Sequence, residues 1–348
     1  MSQQAVLIIY TGGTIGMTND PATGALCPFN FDRIAKTVPE IREFGFRIDS
    51  YTLPEIIDSS DLKPELWQDL CRIIAENYEN YSGFVVLHGT DTMAYSASAL
   101  SFMLENLEKP VVFTGSQLPV GKIRTDGREN LITALEIAAD YMNGKAVVPE
   151  VSILFGDKLF RGNRTTKINA ESFEAFQSFN YPPLAEIGIH IHYNYGAIDY
   201  SPRGGSLRVH NCMDPRIAIL KIFPGLRNEI VRAVIDSPGL RGLILETYGA
   251  GNAPTESGFL ELIREASVEK GIVVYNVTQC QGGSVEMGRY ETSRELLNYG
   301  VVSGYDSTTE AAVCKLMYLL GKTGEANETK KYLNSSLKGE ITVDRVGF

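Results

Sequence analysis

The sequence predicts an α/β fold of two α/β domains: a larger N-terminal one on a mostly parallel sheet flanked by helices, and a smaller C-terminal parallel-sheet one. Three observations carry this expectation. Apolar runs of about four to six residues alternate with longer segments of helical period, the pattern of β-α-β units. The alternation lapses once, where prolines and glycines cluster, and then resumes. The chain has 348 residues, and a domain usually holds roughly 100–200.

The elements follow in order. Ala5–Tyr10, Phe84–Leu87, Val111–Thr114 and Val151–Phe155 are apolar almost throughout, as strands buried on both faces of a parallel sheet must be. Between them, Pro64–Asn77 places Leu66, Leu70, Ile73 and Ile74 on one stripe with Pro64 in the first turn, so a helix is expected there. Met93–Asn106 and Asp126–Tyr141 repeat that pattern. From about Tyr181 to Asn211 regularity fails, with Pro182, Pro183, Pro202 and the pair Gly204–Gly205 as punctuation. This places an N-terminal domain at 1–190, a linker at 191–212 and a C-terminal domain at 213–348. Beyond the linker, strands are expected at Ile217–Ile222, Gly242–Glu246 and Ile272–Val277. Helices are expected near Asn228–Asp236, Thr255–Lys270 and Ser307–Leu320.

Composition narrows the function. The formal charge is −10 and the pI about 5.1, which argues against nucleic acid or an anionic membrane as partner. The five cysteines are scattered, with no C-x-x-C pair, as in a reducing compartment. The first residues pass directly into an apolar strand without a basic region or a long apolar run, so a cytoplasmic location is expected. Metal is not expected. There are four histidines, and His190-x-His192 has no second cluster to complete a zinc site.

In a parallel sheet, ligands bind beyond the carboxyl ends of the strands. The first strand is followed by Thr11-Gly12-Gly13-Thr14-Ile15-Gly16, the second by His88-Gly89-Thr90-Asp91-Thr92, and the third by Gly115-Ser116-Gln117. A C-terminal strand is followed by Tyr248-Gly249-Ala250-Gly251-Asn252. Two of these turns share a form in which glycine admits close backbone approach and threonine supplies a hydroxyl. Either turn alone is equally a tight β-α connection with a helix cap. Two at neighbouring strand ends, one beside a carboxylate, point to a site. The motifs G-x-G-x-x-G, G-x-x-x-x-G-K-[ST] and G-x-S-x-G are all absent, which speaks against a dinucleotide fold, a P-loop and a serine-elbow hydrolase.

Six segments in order resemble one family. TGGTIGM at Thr11–Met17, DSSD at Asp58–Asp61, HGTDTM at His88–Met93, FTGSQLP at Phe113–Pro119, RGNRTTK at Arg161–Lys167 and YGAGNAP at Tyr248–Pro254 are similar to the bacterial-type L-asparaginases, above all the cytoplasmic type I branch. The resemblance implies a two-domain α/β enzyme with no cofactor that hydrolyses L-asparagine to aspartate and ammonia, with some glutamine turnover. It implies Thr14 as nucleophile, and Thr90, Asp91 and Lys167 as a second catalytic cluster. Asp58, Ser59 and Ser60 would hold the α-carboxylate end of the substrate, with Thr90 and Asp91 beside them and Asp91 on the α-ammonium. Asn252 would be presented toward the site by the C-terminal domain. Homodimers or dimers of dimers are implied.

The chemistry leaves Lys167 two roles. It can take the proton of the attacking hydroxyl, directly or through Thr90. A neighbouring carboxylate favours the charged amine, however, in which case it orients Thr90 and steadies charge. Backbone N–H groups of the glycine turns are the expected oxyanion donors.

Two departures from the family stand out. The segment Thr18–Phe29, expected as a lid, reads Gly24-Ala25-Leu26-Cys27-Pro28 and holds no tyrosine, where many relatives carry one against the nucleophile. Some type I members also have an effector site with an arginine in the segment matching Leu245–Gly249, and this chain has Glu246 there. Thr166 and Cys280, matching the same site, are retained, so weak or absent allosteric activation is expected. The alternatives are an ammonia-releasing subunit for transfer-RNA amidation, a glutamine-preferring hydrolase, and an amino-acid sensor without turnover.

Overall fold

The computed structural model describes residues 4–16, 18–19, 26–27, 37–288 and 291–343. The chain forms two compact units, Met1–Val209 and His210–Phe348.

The first unit is built on an eight-stranded sheet. In chain order its strands are β1 (Ala5–Tyr10), β2 (Arg47–Thr52), β3 (Gly83–Leu87), β4 (Val111–Thr114), β5 (Val151–Phe155), β6 (Lys158–Arg161), β7 (Ala185–Ile187) and β8 (Ile191–Tyr193). Their spatial order is β8-β7-β6-β5-β4-β3-β1-β2. The pairs from β2 to β5 are parallel, whereas β5 through β8 pair antiparallel. Strands β1, β3, β4 and β5 are buried at every residue, as continuous apolar runs require. Edge strand β2 carries Arg47, Asp49 and Ser50 and is partly exposed. Its polar sequence hid it, because an edge strand needs only one paired side.

Three helices fall where periodicity predicted them. Helix α1 (Pro64–Asn77) buries Leu66, Leu70, Ile73 and Ile74, and also Trp67 and Cys71. Helix α2 spans Met93–Met103 and is buried almost all round, so it is less amphipathic than expected. It stops three residues early. Leu104–Glu105 leaves the helix to pair with Arg208–Val209, and Asn106 takes a left-handed φ of 61°. Helix α3 covers Gly127–Ala139. Val6, Ile8, Val85, Val112, Leu131, Leu135 and Leu154 belong to one core cluster between sheet and helices.

The stretch expected as a linker, 191–212, is largely part of this first unit. It holds β8 and the Arg208–Val209 strand. The prolines around it interrupt periodicity, but paired edges elsewhere in the unit capture the segments between them.

The second unit holds a four-stranded parallel sheet of β9 (Ile217–Lys221), β10 (Gly242–Thr247), β11 (Val273–Thr278) and β12 (Val302–Ser303), in that spatial order. Its helices are α4 (Asn228–Ile235), α5 (Ser257–Arg264), α6 (Glu291–Asn298), α7 (Thr309–Thr323) and α8 (Ala326–Leu333). The helix expected to run to Lys270 changes to a π-type turn over Glu265–Glu269. Leu243, Leu245, Val274, Phe259 and Ile263 lie in its core. Among the described residues no helix is long and apolar enough to cross a membrane.

Candidate active site

The carboxyl ends of β1 and β3 are adjacent because the strands pair in parallel, Tyr10 opposite Leu87. Thr11 ties them together, as both its N–H and its hydroxyl donate to the Leu87 carbonyl at 3.1 Å. The Thr11 carbonyl in turn accepts from Ile57 N–H at 3.0 Å. Three strand-end loops are thereby held side by side.

Glycine makes the approach possible. Gly12 and Gly13 have φ of 136° and 87°, conformations that a side chain rarely tolerates. A Cβ on Gly12 would stand 2.1 Å from the Ile57 carbonyl oxygen, and one on Gly13 would stand 2.6 Å from Gly89 Cα. A Cβ on Gly89 would be 2.4 Å from Ser59 Oγ. The turn bearing Thr14 therefore lies in backbone contact with the Thr90 loop and with Ile57, and the Thr90 loop packs against the Ser59 side chain.

Thr14 opens a single 3-10 turn, Thr14–Gly16, whose Ile15 is fully buried and anchors it. The Tyr10 ring lies beneath, close enough to exclude any side chain at Gly16, and its hydroxyl donates to the Gly13 carbonyl at 3.3 Å. Thr14 itself is half-buried. Of the expected lid, only the antiparallel pairs Thr18 with Cys27 and Asn19 with Leu26 are described. The remainder, including Gly24, Ala25 and Pro28, lies outside the described residues.

Asp58 caps the short turn Ser59–Asp61. Its Oδ1 accepts from Ser60 N–H at 3.0 Å and Ser60 Oγ at 2.9 Å, and the backbone bond first, then the hydroxyl, holds its pKa below the ordinary carboxylate value. Asp58 and Ser60 are exposed and Ser59 is buried. Thr92 Oγ1 donates to the Ser59 carbonyl at 2.8 Å, pinning this loop to the next.

Lys167 reaches the second cluster from the segment after β6, three strands away from β3 in the sheet. After β6 the chain turns through Gly162–Arg164 and forms Thr166–Lys167, paired with Phe176–Gln177. The base of this excursion is anchored by Arg161 and Glu150, a nearly buried pair with Nε–Oε2 2.6 Å, whose guanidinium also lies over the Tyr181 ring. Lys167 Nζ then donates to Thr90 Oγ1 and Asp91 Oδ1, both at 2.7 Å. Lys167 is 17% exposed and Asp91 63%, so the amine is sheltered while the carboxylate faces solvent.

Thr14, Ser59, Thr90, Asp91 and Lys167 are thus on touching loops, with Asp58 and Ser60 on the rim. Asn252 sits in the second unit, in a turn after β10 where Tyr248 and Asn252 form a β-bridge. The third strand-end motif is committed elsewhere. The N–H groups of Gln117 and Leu118 donate to the Asp126 carboxylate, and Ser116 Oγ to the Leu118 carbonyl. Thr11 and Thr92 act as loop ties that the strand-end motifs containing them do not reveal. A threonine next to a glycine turn was the available signal. Among the described residues no group of three or more histidine, cysteine, aspartate or glutamate side chains could hold a metal ion.

Glu246, the departure in the second unit, is nearly buried. Its Oε1 accepts from Thr309 Oγ1 at 2.7 Å and its Oε2 lies 3.5 Å from Lys221 Nζ.

Comparison with known proteins identifies the relatives of the chain. Residues 5–199 match the asparaginase N-terminal family model and residues 216–333 the glutaminase/asparaginase C-terminal domain. The chain is 44% identical to L-asparaginase 1 of Escherichia coli K12, covering 99% of this chain and all of that one. It is 40% identical to a 60 kDa lysophospholipase of Mus musculus, covering 98% of this chain and 63% of that longer protein. The crystal structure of L-asparaginase I from Vibrio cholerae superposes with a TM-score of 0.88 at 40% identity, over 98% of this chain and 100% of that one. Two family models in sequence order and near-complete coverage at this identity lead to one conclusion: the chain belongs to the asparaginase family.

Proposed function

We propose that this protein hydrolyses the side-chain amide of L-asparagine to aspartate and ammonia, with Thr14 as nucleophile and an acyl-enzyme intermediate. The observation that carries the proposal is the Lys167 ammonium donating at 2.7 Å to both Thr90 Oγ1 and Asp91 Oδ1, on a loop in backbone contact with the Thr14 turn. Relatives named as L-asparaginases across the full chain support the substrate.

In this mechanism Thr14 Oγ attacks the amide carbon while its proton passes to the Thr90 hydroxyl, which gives up its own proton in turn. The proton is delivered to the departing nitrogen, the C–N bond breaks, and ammonia leaves. Water then attacks the ester, freeing aspartate and returning the proton to Thr14. Lys167, as the cationic half of an ion pair with Asp91, orients Thr90 and stabilises negative charge. N–H groups of the glycine turns supply the oxyanion donors. Asp58, Ser59 and Ser60 line the α-carboxylate end, with the Ser59 hydroxyl as donor and Ser60 held by Asp58, and Thr90 and Asp91 line the same end, with Asp91 on the α-ammonium.

The proposal extends to assembly. The first unit carries the nucleophile, the second presents Asn252 toward a site, and the protein works in the cytoplasm as a homodimer or dimer of dimers. Minor glutamine turnover is expected, since one methylene is worth only about 1–3 kcal/mol of discrimination.

Ammonia release from asparagine by wild type beside Thr14→Ala tests the nucleophile. Loss of at least about 1,000-fold in kcat is expected. Equal release by both proteins would remove Thr14 from the mechanism.

A further inference from the structure

His88 directly follows β3, one residue before Gly89, and is not among the groups that meet substrate in the mechanism above. Its ring is buried, 1% exposed, and both nitrogens are engaged. Nδ1 lies 2.7 Å from its neighbour's carbonyl oxygen, that of Gly89. Nε2 lies 2.9 Å from Ser96 Oγ on α2, and that oxygen receives Trp67 Nε1–H from α1 at 3.0 Å.

The direction of this chain follows from its ends. An indole N–H can only donate and a carbonyl can only accept. Nδ1 must therefore carry the proton, Nε2 is bare, and Ser96 spends its own hydroxyl hydrogen on Nε2 while accepting from Trp67. Burial pushes the imidazole pKa down to about 4, so the ring is neutral near pH 7. One tautomer satisfies every partner.

The far end of the chain is the peptide joining Gly89 to Thr90. Because that peptide is planar, fixing its carbonyl toward the core fixes the Thr90 N–H in the opposite direction. Its other contacts leave little freedom. Gly89 is crowded by Gly13 and Ser59, and the His88 carbonyl is so close to Gly115 that a Cβ there would stand 2.5 Å away. His88 N–H donates to the Thr114 carbonyl at 2.9 Å.

We propose that His88 is a positioning residue for the hydrolysis, held as a single Nδ1–H tautomer by Trp67 through Ser96, and that it sets the Gly89–Thr90 peptide and so aims Thr90. The proposal rests on the amidohydrolase reading above. Removing the Nδ1–H donor leaves the Gly89 carbonyl without its buried partner, and the small tilt of the peptide that its crowded neighbours still permit shifts Thr90 relative to Lys167 and the Thr14 turn. A displacement of about 1 Å of this kind can cost up to about 100-fold in rate.

The test compares His88→Asn, His88→Leu and Ser96→Ala with wild type on asparagine. The asparagine carboxamide can still donate to the Gly89 carbonyl; leucine cannot. The expected result is a kcat lowered about 10- to 100-fold in His88→Leu with KM changed less than about threefold, and recovered to within about fivefold of wild type in His88→Asn. Ser96→Ala, a smaller cut in the same chain, should lower kcat about 3- to 10-fold. Nitrogen-15 resonance of the wild-type ring at pH 7 should show His88 with Nδ1 protonated and Nε2 bare. Equal kcat in folded His88→Leu and His88→Asn would overturn the positioning role. So would a protonated Nε2, or, should His88→Leu not fold, an unchanged kcat in Ser96→Ala. Absence of asparagine turnover in wild type would instead bring down the underlying amidohydrolase reading, and this proposal with it.

Discussion

The two units share a construction, parallel strands that end in glycine turns, and treat those turns differently. After β1 and β3, the glycines Gly12, Gly13 and Gly89 are crowded by backbone or side chain of other loops within 2.1–2.6 Å of any added Cβ. After β10, Gly249 has φ of 49° and nothing within 4 Å. Gly249 serves only local turn geometry, and Gly251 two residues on meets first the side chains of Val285 and Asn276, at 2.8 and 3.3 Å, where the Gly12 and Gly13 turn meets backbone. In the first unit glycine lets separate loops touch, and the hydroxyls, carboxylate and amine gather at that contact. A strand-end glycine turn thus points to a site when its missing side chain is required by a second loop.

That contrast can be broken most directly by alanine. Gly12→Ala should lower kcat/KM by at least about 100-fold, because the Thr14 turn must move to relieve the clash with Ile57. Gly249→Ala should cost only the left-handed backbone penalty of about 1–2 kcal/mol in urea denaturation. Similar losses of stability in the two variants would mean that crowding at Gly12 is readily relaxed.

The ion pairs sharpen the same division. In the second unit Lys315 and Glu340 are wholly buried at 2.7 Å. Lys315 also donates to the Leu333 and Ser335 carbonyls. Lys315→Met strands a buried carboxylate and should destabilise by about 3–5 kcal/mol, read from chemical denaturation. Lys167→Met removes the amine of a pair whose carboxylate is open to solvent. It should reduce kcat by about 100-fold or more while the midpoint of denaturation stays within experimental scatter. A large stability loss in Lys167→Met would make that pair structural.

A smaller effect concerns Glu246. A carboxylate there disfavours a carboxylate-bearing effector, so the rate should rise hyperbolically with asparagine, with a Hill coefficient of about 1. A coefficient near 2 would reinstate activation by a second asparagine.

The smallest effect is at Asp214, whose pKa falls to about 2 from an ordinary 3.8, chiefly through the Arg216 side chain and then Arg241. Its folded-state pKa is depressed, so its contribution is complete above about pH 4 and disappears as pH falls toward 2. Asp214→Asn should therefore narrow the stability change over that interval. An unchanged acid-unfolding slope there would show that Asp214 is not linked to folding.

How much of this was legible in the residues varies by element. Strands β1, β4 and β5 and helix α1 were readable to the residue, because full burial demands uninterrupted apolar runs and a half-buried helix demands a stripe. Strand β2 was not, since Arg47–Thr52 is polar and holds its place by hydrogen bonding along one edge. Strands β6 to β8 are short, and the prolines around 182–202 masked the antiparallel end of the sheet. The motifs singled out Thr14, Thr90, Asp91 and Lys167, but Thr92 as a tie and the Trp67–Ser96–His88 chain left no periodic trace. Each joins residues far apart in sequence, and only packing reveals such partners.

The amino-acid sequence by itself determined the alternation of strands and helices, the glycine turns at strand ends and the identity of the polar groups mounted on them, because these depend on local periodicity and backbone freedom. Only the tertiary structure decided that the Thr14, Ser59 and Thr90 loops touch, that Lys167 returns from beyond β6 to meet Thr90 and Asp91, and that Gly115-Ser116-Gln117 is tied up by Asp126. Those outcomes depend on strand order and on which loop faces which, and neither is encoded in any short run of residues.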